Sequence, residues 1–390
     1  MDKKCPNVGG PRPVKVSANQ DNLARGLAIV GRAVASRSPL PVTSNVLLAT
    51  DEGRLRLAAT NLDIAITCWV AAKIDEEGQV TIPARLLSEF VNSLPSDRID
   101  MRLHERQVSL NLKCRQFEAN IKGIDAEEFP PITTAGTESA ISIDPKEFHS
   151  AIAQVAFAAA TDDSRPVFAG VSMSFNENKL TLAAADGFRL AVLEMPLSEP
   201  VPSRIDIIVP ARALTELGRI ISDDDESLLI TVTPNRGQVL FRLANVQLVS
   251  RLIEGTFPNY RQIIPTKHTT RVLISTKEFL GATKIASFFA RDSANIVRLQ
   301  ATPGADLTPG RLTVAATAAE VGDTVGGIDA AIEGEEAQIA FNAKYLIDVL
   351  SVMGSNQVAL EVTTASSPGV VRPSGTEDYI HVIMPMHVAR

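Results

Sequence analysis

The chain has 390 residues, of which 45% are hydrophobic, 21% charged and 5% aromatic, a composition typical of a globular protein with roughly two to four domains. The net charge of −7 excludes a uniformly basic nucleic-acid-binding surface, although it allows a local one. The longest apolar stretch, near Ile152–Ala160, is too short to cross a bilayer, and Met1–Val16 lacks the apolar core of a secretory signal. Cys5, Cys68 and Cys114 share no close spacing, so they predict neither a disulfide framework nor a zinc site. We therefore predict a soluble, cytoplasmic protein with no membrane contact, metal or cofactor.

Six amphipathic helices are predicted from apolar residues that recur at offsets of three and four. In chain order they cover residues 22–35, 83–95, 145–160, 210–222, 276–290 and 342–354. Runs rich in strand-forming residues lie between them, at 108–112, 228–233, 239–243, 312–316 and 358–362. The chain is therefore predicted to combine helices with many short strands.

Two sets of segments recur three times, about 130 residues apart. One set is Ile82–Leu87, Val209–Leu214 and Phe341–Leu346, and the other is Leu57–Asn61, Leu182–Asp186 and Val314–Ala318. Pro83 and Pro210 fit the first turn of their helices, where a missing N–H costs nothing. The predicted fold is α+β, with three repeated domains of two helices plus antiparallel sheet at residues 14–137, 138–266 and 267–390. Met1–Pro13, with several Gly and Pro residues, is predicted to be a disordered extension.

The predicted helices carry nine cationic and five anionic side chains, although the whole chain is acidic. The cations are Arg25, Arg32, Arg85, Lys146, Arg212, Arg219, Lys277, Lys284 and Lys344. A basic helical layer within an acidic protein is typical of a surface that faces phosphates. Solvated helix faces opposite a core give the same pattern, so charge alone leaves both interpretations open.

Two copies of the chain would supply twelve such helices. Placed side by side around a circle, these helices would leave a hole of about 28 Å. A DNA duplex about 20 Å wide would pass through it. This estimate allows a ring around DNA, but it equally allows three units in a row.

Asp186–Ala191, Phe257–Arg261 with Pro265, and Met384–Met386 occur in this order along the threefold repeat. In sequence and spacing they resemble the bacterial sliding clamp family, the β subunit of DNA polymerase III, from about residue 14 to the end of the chain. The resemblance implies the DNA clamp fold, in which each chain forms half of a closed ring. It further implies a head-to-tail homodimer that encircles double-stranded DNA without reading its sequence. Such a ring tethers DNA polymerase subunits, the clamp loader and repair proteins through short linear peptides, and it performs no catalysis.

The resemblance also implies a partner-peptide cleft between the second and third repeats. Its residues here would be Arg165, Phe168, Gly187, Phe188, Arg189, Leu190, Pro258, Gln262, Ile263, Asn342, Tyr345, Ser367, Val382, Met384, Pro385 and Met386. Met and Pro would form an adaptable apolar floor, and Arg165 and Arg189 would hold polar or carboxylate groups of the peptide. The family commonly has His in place of Phe188 and Arg near Gln262. We therefore expect a more apolar and less basic cleft than is usual.

DNA and dimer contacts complete the implied sites. Arg37, in the turn at residues 36–41, matches a DNA contact of the family, whereas the nine helical cations are candidates on charge alone. For the dimer, the family pairs edge strands of the first and third repeats, which would place Phe117 opposite Phe288 and Phe289. Burial in a domain core is the alternative for these aromatic side chains.

Two other classes of function are an enzyme and a protein-binding scaffold. Asp162–Asp163 and Asp223–Asp225 are carboxylate clusters that can bind metals or transfer protons, but no histidine lies near them. No Walker, G-x-S-x-G or G-x-G-x-x-G motif is present, so we predict no enzymatic activity. A diverged clamp-like scaffold that binds proteins without encircling DNA stays open, because the excess of helical cations is modest.

Overall fold

The computed structural model describes residues 14–35, 40–104, 108–134, 140–162, 164–305 and 308–387. Met1–Pro13, the predicted extension, and Arg37 lie outside these residues. Six α-helices are found in the described ranges, one for each predicted helix. They are α1 (Gln20–Val30), α2 (Ala84–Ser93), α3 (Pro145–Val155), α4 (Ala211–Ile220), α5 (Thr276–Ala290) and α6 (Ala343–Val352). None of them is long and apolar enough to span a membrane.

The helices bury the faces that their periodicity predicted. Leu87 in α2, Leu214 in α4 and Leu346 in α6 occupy the same position of the repeat, and each is completely buried. Their starts differ in one respect from the prediction. Pro83 is the N-cap of α2, with ψ 114°, because it still pairs with Asn45 in the preceding strand, so it is not in the first helical turn. Pro210 likewise ends a strand, before α4 begins at the next residue.

The strands are short and numerous. They are β1 (Lys15–Asn19), β2 (Asn45–Asp51), β3 (Arg54–Thr60), β4 (Ile64–Val70), β5 (Ala72–Glu76), β6 (Gln79–Pro83), β7 (Arg98–His104), β8 (Ser109–Cys114), β9 (Phe117–Lys122), β10 (Ile141–Ile143), β11 (Gly170–Asn176), β12 (Lys179–Ala185), β13 (Arg189–Pro196), β14 (Ile205–Pro210), β15 (Leu228–Val232), β16 (Gln238–Arg242), β17 (Val246–Arg251), β18 (Thr270–Ser275), β19 (Ile296–Thr302), β20 (Gly310–Ala318), β21 (Gly322–Gly334), β22 (Ala337–Asn342), β23 (Gln357–Val362), β24 (Gly369–Pro373) and β25 (Tyr379–Ile383). Every ladder between these strands is antiparallel, which confirms the predicted α+β class.

One compact unit comprises the described residues up to 145 together with 219–252. It contains a five-stranded sheet in the order β5-β1-β7-β8-β9 and an eight-stranded sheet in the order β10-β15-β16-β17-β4-β3-β2-β6. The larger sheet is continuous because β17 of the second repeat pairs with β4 of the first, with Leu248 opposite Ile66. Helices α1 and α2 pack against each other in this unit.

The other unit comprises residues 146–218 and the described residues from 253 onwards. Its single sheet has the order β14-β11-β12-β13-β25-β24-β23-β18-β21-β20-β19-β22. Here β25 of the third repeat pairs with β13 of the second, and Val382 lies opposite Leu190. The same type of ladder thus joins consecutive repeats twice, which explains why each unit contains part of the second repeat.

Candidate functional site

The turn between β12 and β13 presents the residues of the first sequence motif. The Asp186 carboxylate forms it, because Oδ1 accepts hydrogen bonds from the backbone N–H groups of Phe188 (2.8 Å) and Arg189 (2.9 Å). Gly187 lies between Asp186 and Phe188 with φ +96°, in the left-handed region that side chains disfavour. The backbone of Phe188 is held a second time, since its carbonyl accepts from the N–H of Met384 at 2.8 Å.

The first repeat contains the same turn with different side chains. Asn61 Oδ1 accepts from the N–H groups of Asp63 (3.0 Å) and Ile64 (2.9 Å), and Leu62 has φ +80°. The turn conformation therefore belongs to the repeat, because an Asx residue caps it in both places. What differs is the side chain presented, which is Asp63 in the first repeat and Phe188 in the second.

An open cavity of about 580 Å³, including its mouth, lies beside the Asp186–Leu190 turn. It is lined by Phe168, Ala185, Gly187, Phe188, Arg189, Leu190, Phe257, Pro258, Asn259, Tyr260, Ile263, Val382 and Met384. Ala185, Leu190 and Val382 belong to a buried cluster beneath it. At the rim, the side chain of Phe188 is 58% exposed. An exposed aromatic ring on a fixed backbone, beside an apolar cavity, is typical of a site that binds an apolar side chain of a partner.

An aromatic wall closes one side of this cavity. The ring centroids of Phe168 and Phe257 are 6.3 Å apart, and those of Phe257 and Tyr260 are 6.2 Å apart in an edge-to-face arrangement. Burial raises the pKa of the Tyr260 hydroxyl. Ala185, Phe257, Asn259 and Tyr260 were absent from the predicted cleft. The motif Phe257–Arg261 was the signal in the sequence that could have added Phe257, Asn259 and Tyr260.

Arg165 and Arg189 are both placed at the turn, but their guanidinium groups have protein partners. Arg165 donates from Nη2 to the carbonyl of Asp186 (2.9 Å) and lies 4.9 Å from the centre of the Phe168 ring. Arg189 forms ion pairs with Asp186 and Asp348 and is only 10% exposed. Each nitrogen of the Arg189 guanidinium donates one hydrogen bond within the protein, and the expectation that Arg189 holds peptide carboxylates stays a prediction.

Nine of the sixteen predicted cleft residues line the cavity, and Arg165 and Tyr345 lie in the next layer, since Tyr345 packs on Arg189. The other five do not line it. Asn342 caps α6, and Ser367 hydrogen-bonds to Thr364 within a loop at 2.7 Å. Gln262 is exposed to solvent. Pro385 and Met386 follow the lining residue Met384, and the N–H of Met386 donates to the carbonyl of Ala340 (2.8 Å).

His381 lies on β25 next to the cavity residue Val382, and it is completely buried. Its ring stacks on Phe157 with centroids 5.5 Å apart, and neither ring nitrogen has a hydrogen-bond partner among the described residues. Burial, together with the charge of Arg189, lowers the pKa of His381 to about 3. The side chain is thus a neutral part of the core.

The helical cations and two of the three predicted dimer aromatics are placed on the surface, whereas Arg37 lies outside the described residues. All nine helical cations are exposed, and Arg85 forms an ion pair with Glu89 at 2.8 Å. Phe117 and Phe288 are 46% and 60% exposed, whereas Phe289 is half-buried. Burial in a domain core therefore does not account for Phe117 or Phe288.

The acidic clusters form turns. Asp162 Oδ1 accepts from the N–H of Ser164 (3.1 Å), and Asp225 Oδ2 accepts from the N–H of Ser222 (2.8 Å). Asp163 lies outside the described residues. Within the described ranges no group of three or more His, Cys, Asp or Glu side chains is arranged to hold a metal ion.

Comparison with known proteins gives consistent matches along the chain. Residues 14–133, 142–259 and 261–387 match the models of the N-terminal, central and C-terminal domains of the DNA polymerase III beta subunit. The chain is 31% identical to the beta sliding clamp of Synechococcus elongatus, over 96% of this chain and all of that protein. It is 29% identical to the beta sliding clamp of Bacillus subtilis, over 96% of this chain and 99% of that protein. The crystal structure of the Bacillus subtilis DNA polymerase sliding clamp superposes with a TM-score of 0.91 and 29% identity, over 96% of this chain and 100% of that one.

Proposed function

The chain belongs to the DNA polymerase III beta subunit family, and we propose that it acts as a DNA sliding clamp, a ring that encircles duplex DNA and tethers a polymerase to it. The resemblance predicted from three short motifs and the three-domain clamp fold are confirmed by these matches. Clamps of this family are non-catalytic. A tethered polymerase rebinds its primer at a high effective concentration, which raises the length of DNA copied in one binding event. We place this function in the cytoplasm.

The observation that carries the tethering role is the cavity beside the Asp186–Leu190 turn. It combines an apolar floor, an aromatic wall and the exposed ring of Phe188, and its main-chain frame is fixed by side-chain and backbone hydrogen bonds. These properties suit a short peptide with apolar anchors. The expected partners are DNA polymerase subunits, the clamp loader and repair proteins.

Ring closure is proposed from the repetition of the sheet ladders. In the first and second repeats, β4 and β13 each pair with the last strand of the following repeat. In the third repeat, residues 322–330 of β21 pair with β20 along one edge, and no described strand pairs along the other. The last strand of the first repeat, β9, is likewise an edge strand. We infer that β9 of a second copy pairs with β21, so that two chains close a ring head to tail.

Side-chain exposure supports the same interface. Phe117 is on β9, and Ile285 and Phe288 lie three residues apart on α5, which packs on β21. Val325, on β21 itself, is 68% exposed. Exposed apolar side chains at two unpaired sheet edges are typical of surfaces that associate. Phe117, Phe288 and Phe289 therefore remain the proposed dimer residues.

The DNA-facing surface is proposed from the helices. Arg25, Arg32, Arg85, Lys146, Arg212, Arg219, Lys277, Lys284 and Lys344 are exposed, and Arg37 is added from the resemblance. Contacts of lysine and arginine with phosphates are independent of sequence and allow sliding. The three proposed domains are residues 14–137, 138–266 and 267–390.

Retention on closed DNA tests this function. The protein is loaded onto a nicked circular plasmid with its clamp loader, isolated by gel filtration, and the plasmid is then cut once with a restriction enzyme. We expect the protein to elute with the circle and to leave the linear form within minutes. Equal retention on both forms, or on neither, would instead favour a scaffold that does not encircle DNA.

A further inference from the structure

The guanidinium group of Arg189 is held inside the protein by all three of its nitrogens. Nε donates to Asp186 Oδ2 (3.0 Å), Nη1 donates to Asp348 Oδ2 (2.6 Å), and Nη2 donates to the carbonyl oxygen of Phe157 (2.7 Å). The group also lies close to two aromatic rings, 5.3 Å from the centre of Phe157 and 4.6 Å from that of Tyr345. Each nitrogen of this cation therefore donates at least one hydrogen bond within the protein, and two aromatic rings lie close to the group.

These contacts connect the turn at the cavity with a helix of the next repeat. Asp186 is the residue whose other carboxylate oxygen fixes the N–H groups of Phe188 and Arg189. Tyr345 and Asp348 belong to α6 in the third repeat. Asp348 is 42% exposed and does not line the cavity. A single side chain thus joins the conformation of the Asp186–Leu190 turn to the position of α6.

We propose that Arg189 is a positioning residue for the peptide cleft, and that Asp348 acts through it. The proposal rests on the proposed function, because it concerns the same cavity. By attaching the turn to α6, Arg189 keeps Phe188 and Leu190 in the arrangement that meets the peptide. Binding to such a preformed site avoids the loss of freedom that ordering a loose turn would require. Loosening the turn should weaken binding even when no residue that lines the cavity is changed.

Asp348→Asn is the informative variant because its electrostatic effect is limited. Arg189 has two carboxylate partners, so removal of the charge on Asp348 still leaves it paired with Asp186. No buried charge is left without a partner, which is the usual reason that such variants fail to fold. Asp224→Asn, at an exposed position in a loop, is the matched control.

The experiment measures the affinity of a fluorescein-labelled synthetic hexapeptide, with Leu and Phe as its apolar side chains, for the full-length protein by fluorescence anisotropy. We expect Asp348→Asn to raise the Kd by about tenfold, within the range of coupling for residues of one network. Asp224→Asn should bind as the wild type does. Equal affinity of Asp348→Asn and the wild type would overturn the proposal. If the wild-type protein itself fails to bind the hexapeptide, the proposed cleft fails, and that outcome is distinct from the failure of this inference.

A double-mutant cycle separates positioning from general destabilisation. Phe188→Ala is measured in the wild-type and Asp348→Asn backgrounds. If Asp348 acts by placing the turn, Phe188→Ala should weaken binding clearly less in the second background, because Phe188 is already displaced there. If the Kd of the double variant is raised by the product of the two single-variant factors, the two residues act independently, and the positioning role would be wrong.

Discussion

Replacing His381 with leucine should make the protein less sensitive to acid. The side chain is completely buried without a hydrogen-bond partner for either ring nitrogen in the described structure, and its pKa is lowered to about 3. In the unfolded chain histidine titrates near 6.5. Below that pH the unfolded chain therefore binds a proton that the folded chain does not bind. It follows that stability is lost as the pH falls from about 6.5 towards 3.

The size of the effect follows from the two pKa values. Where His381 is fully protonated in the unfolded chain and neutral in the folded chain, each fall of one pH unit removes about 1.4 kcal/mol from the free energy of unfolding. Between pH 6.5 and pH 4.5 the unfolded state changes from half to fully protonated at this residue. The wild type should therefore lose about 2 kcal/mol through His381 alone. Asp75, Asp97 and Asp100, whose pKa values are lowered by their hydrogen-bond and ion-pair partners, contribute mainly below this window, because free aspartate titrates near 3.9.

Leucine is a suitable replacement because the repeat already uses it. Leu248 lies opposite Ile66 in the ladder between the first two repeats, at the position that His381 occupies opposite Ala191. The free energy of unfolding is measured by urea denaturation at pH 6.5 and pH 4.5, followed by circular dichroism. His381→Leu should lose about 2 kcal/mol less than the wild type between these pH values, whereas His268→Gln, at an exposed position, should lose as much as the wild type. An equal loss in His381→Leu and the wild type would refute the argument.

Three further predictions concern the proposed surfaces. Truncation after Ile383 should abolish binding of polymerase-derived peptides, measured by fluorescence anisotropy, while the dimer persists. Truncation after Met386 is the control and should leave binding intact. Unchanged affinity without Met384–Met386 would argue against the cleft. Replacing Phe117 and Phe288 with aspartate should raise the dimer Kd by at least about 100-fold, because charges would be buried at two apolar contacts. Analytical ultracentrifugation should then show monomers. A persistent dimer would place the interface elsewhere. Replacing Arg25 and Arg212 with serine should weaken the salt dependence of binding to duplex DNA. The slope of the logarithm of the association constant against the logarithm of the salt concentration should fall in magnitude by up to about 2. An unchanged slope would remove both residues from the DNA-facing surface.

Much of the fold was predictable from the sequence because repetition and periodicity are local signals. The offsets of three and four in α2, α4 and α6 identified the buried faces correctly, and Leu87, Leu214 and Leu346 are completely buried. The mismatch at Pro83 has a local cause as well. The residue can either open a helix or end a strand, and its pairing with Asn45 decides the outcome. That pairing is not visible in the helix pattern.

Nine of the thirteen residues that line the cavity were expected from the resemblance, including Phe168 and Ile263 outside the three motifs. Gly187, Phe188 and Leu190 were identified from one motif, and all three line the cavity. The environment of Arg189 was not predictable, because its ion-pair partner Asp348 lies 159 residues further along the chain. A sequence identifies a cation next to a predicted cleft, but the direction of its side chain depends on packing between repeats. Tyr260 was missed as part of the aromatic wall, although the second motif includes it, because its contact with Phe257 arises from packing within the second repeat.

We propose that a ring without catalytic activity tethers a polymerase through the cavity beside the Asp186–Leu190 turn. This role is tested by the length of DNA copied per binding event on a primed single-stranded circle. The primed template is in large excess over the polymerase, so that each primer is extended in at most one binding event. The wild type should lengthen the products by at least about tenfold over polymerase alone, because the tethered enzyme rebinds before it diffuses away. Phe188→Ala should be retained on the circle yet give products much closer in length to those of polymerase alone. Products of full length with this variant, or no lengthening with the wild type, would contradict the account.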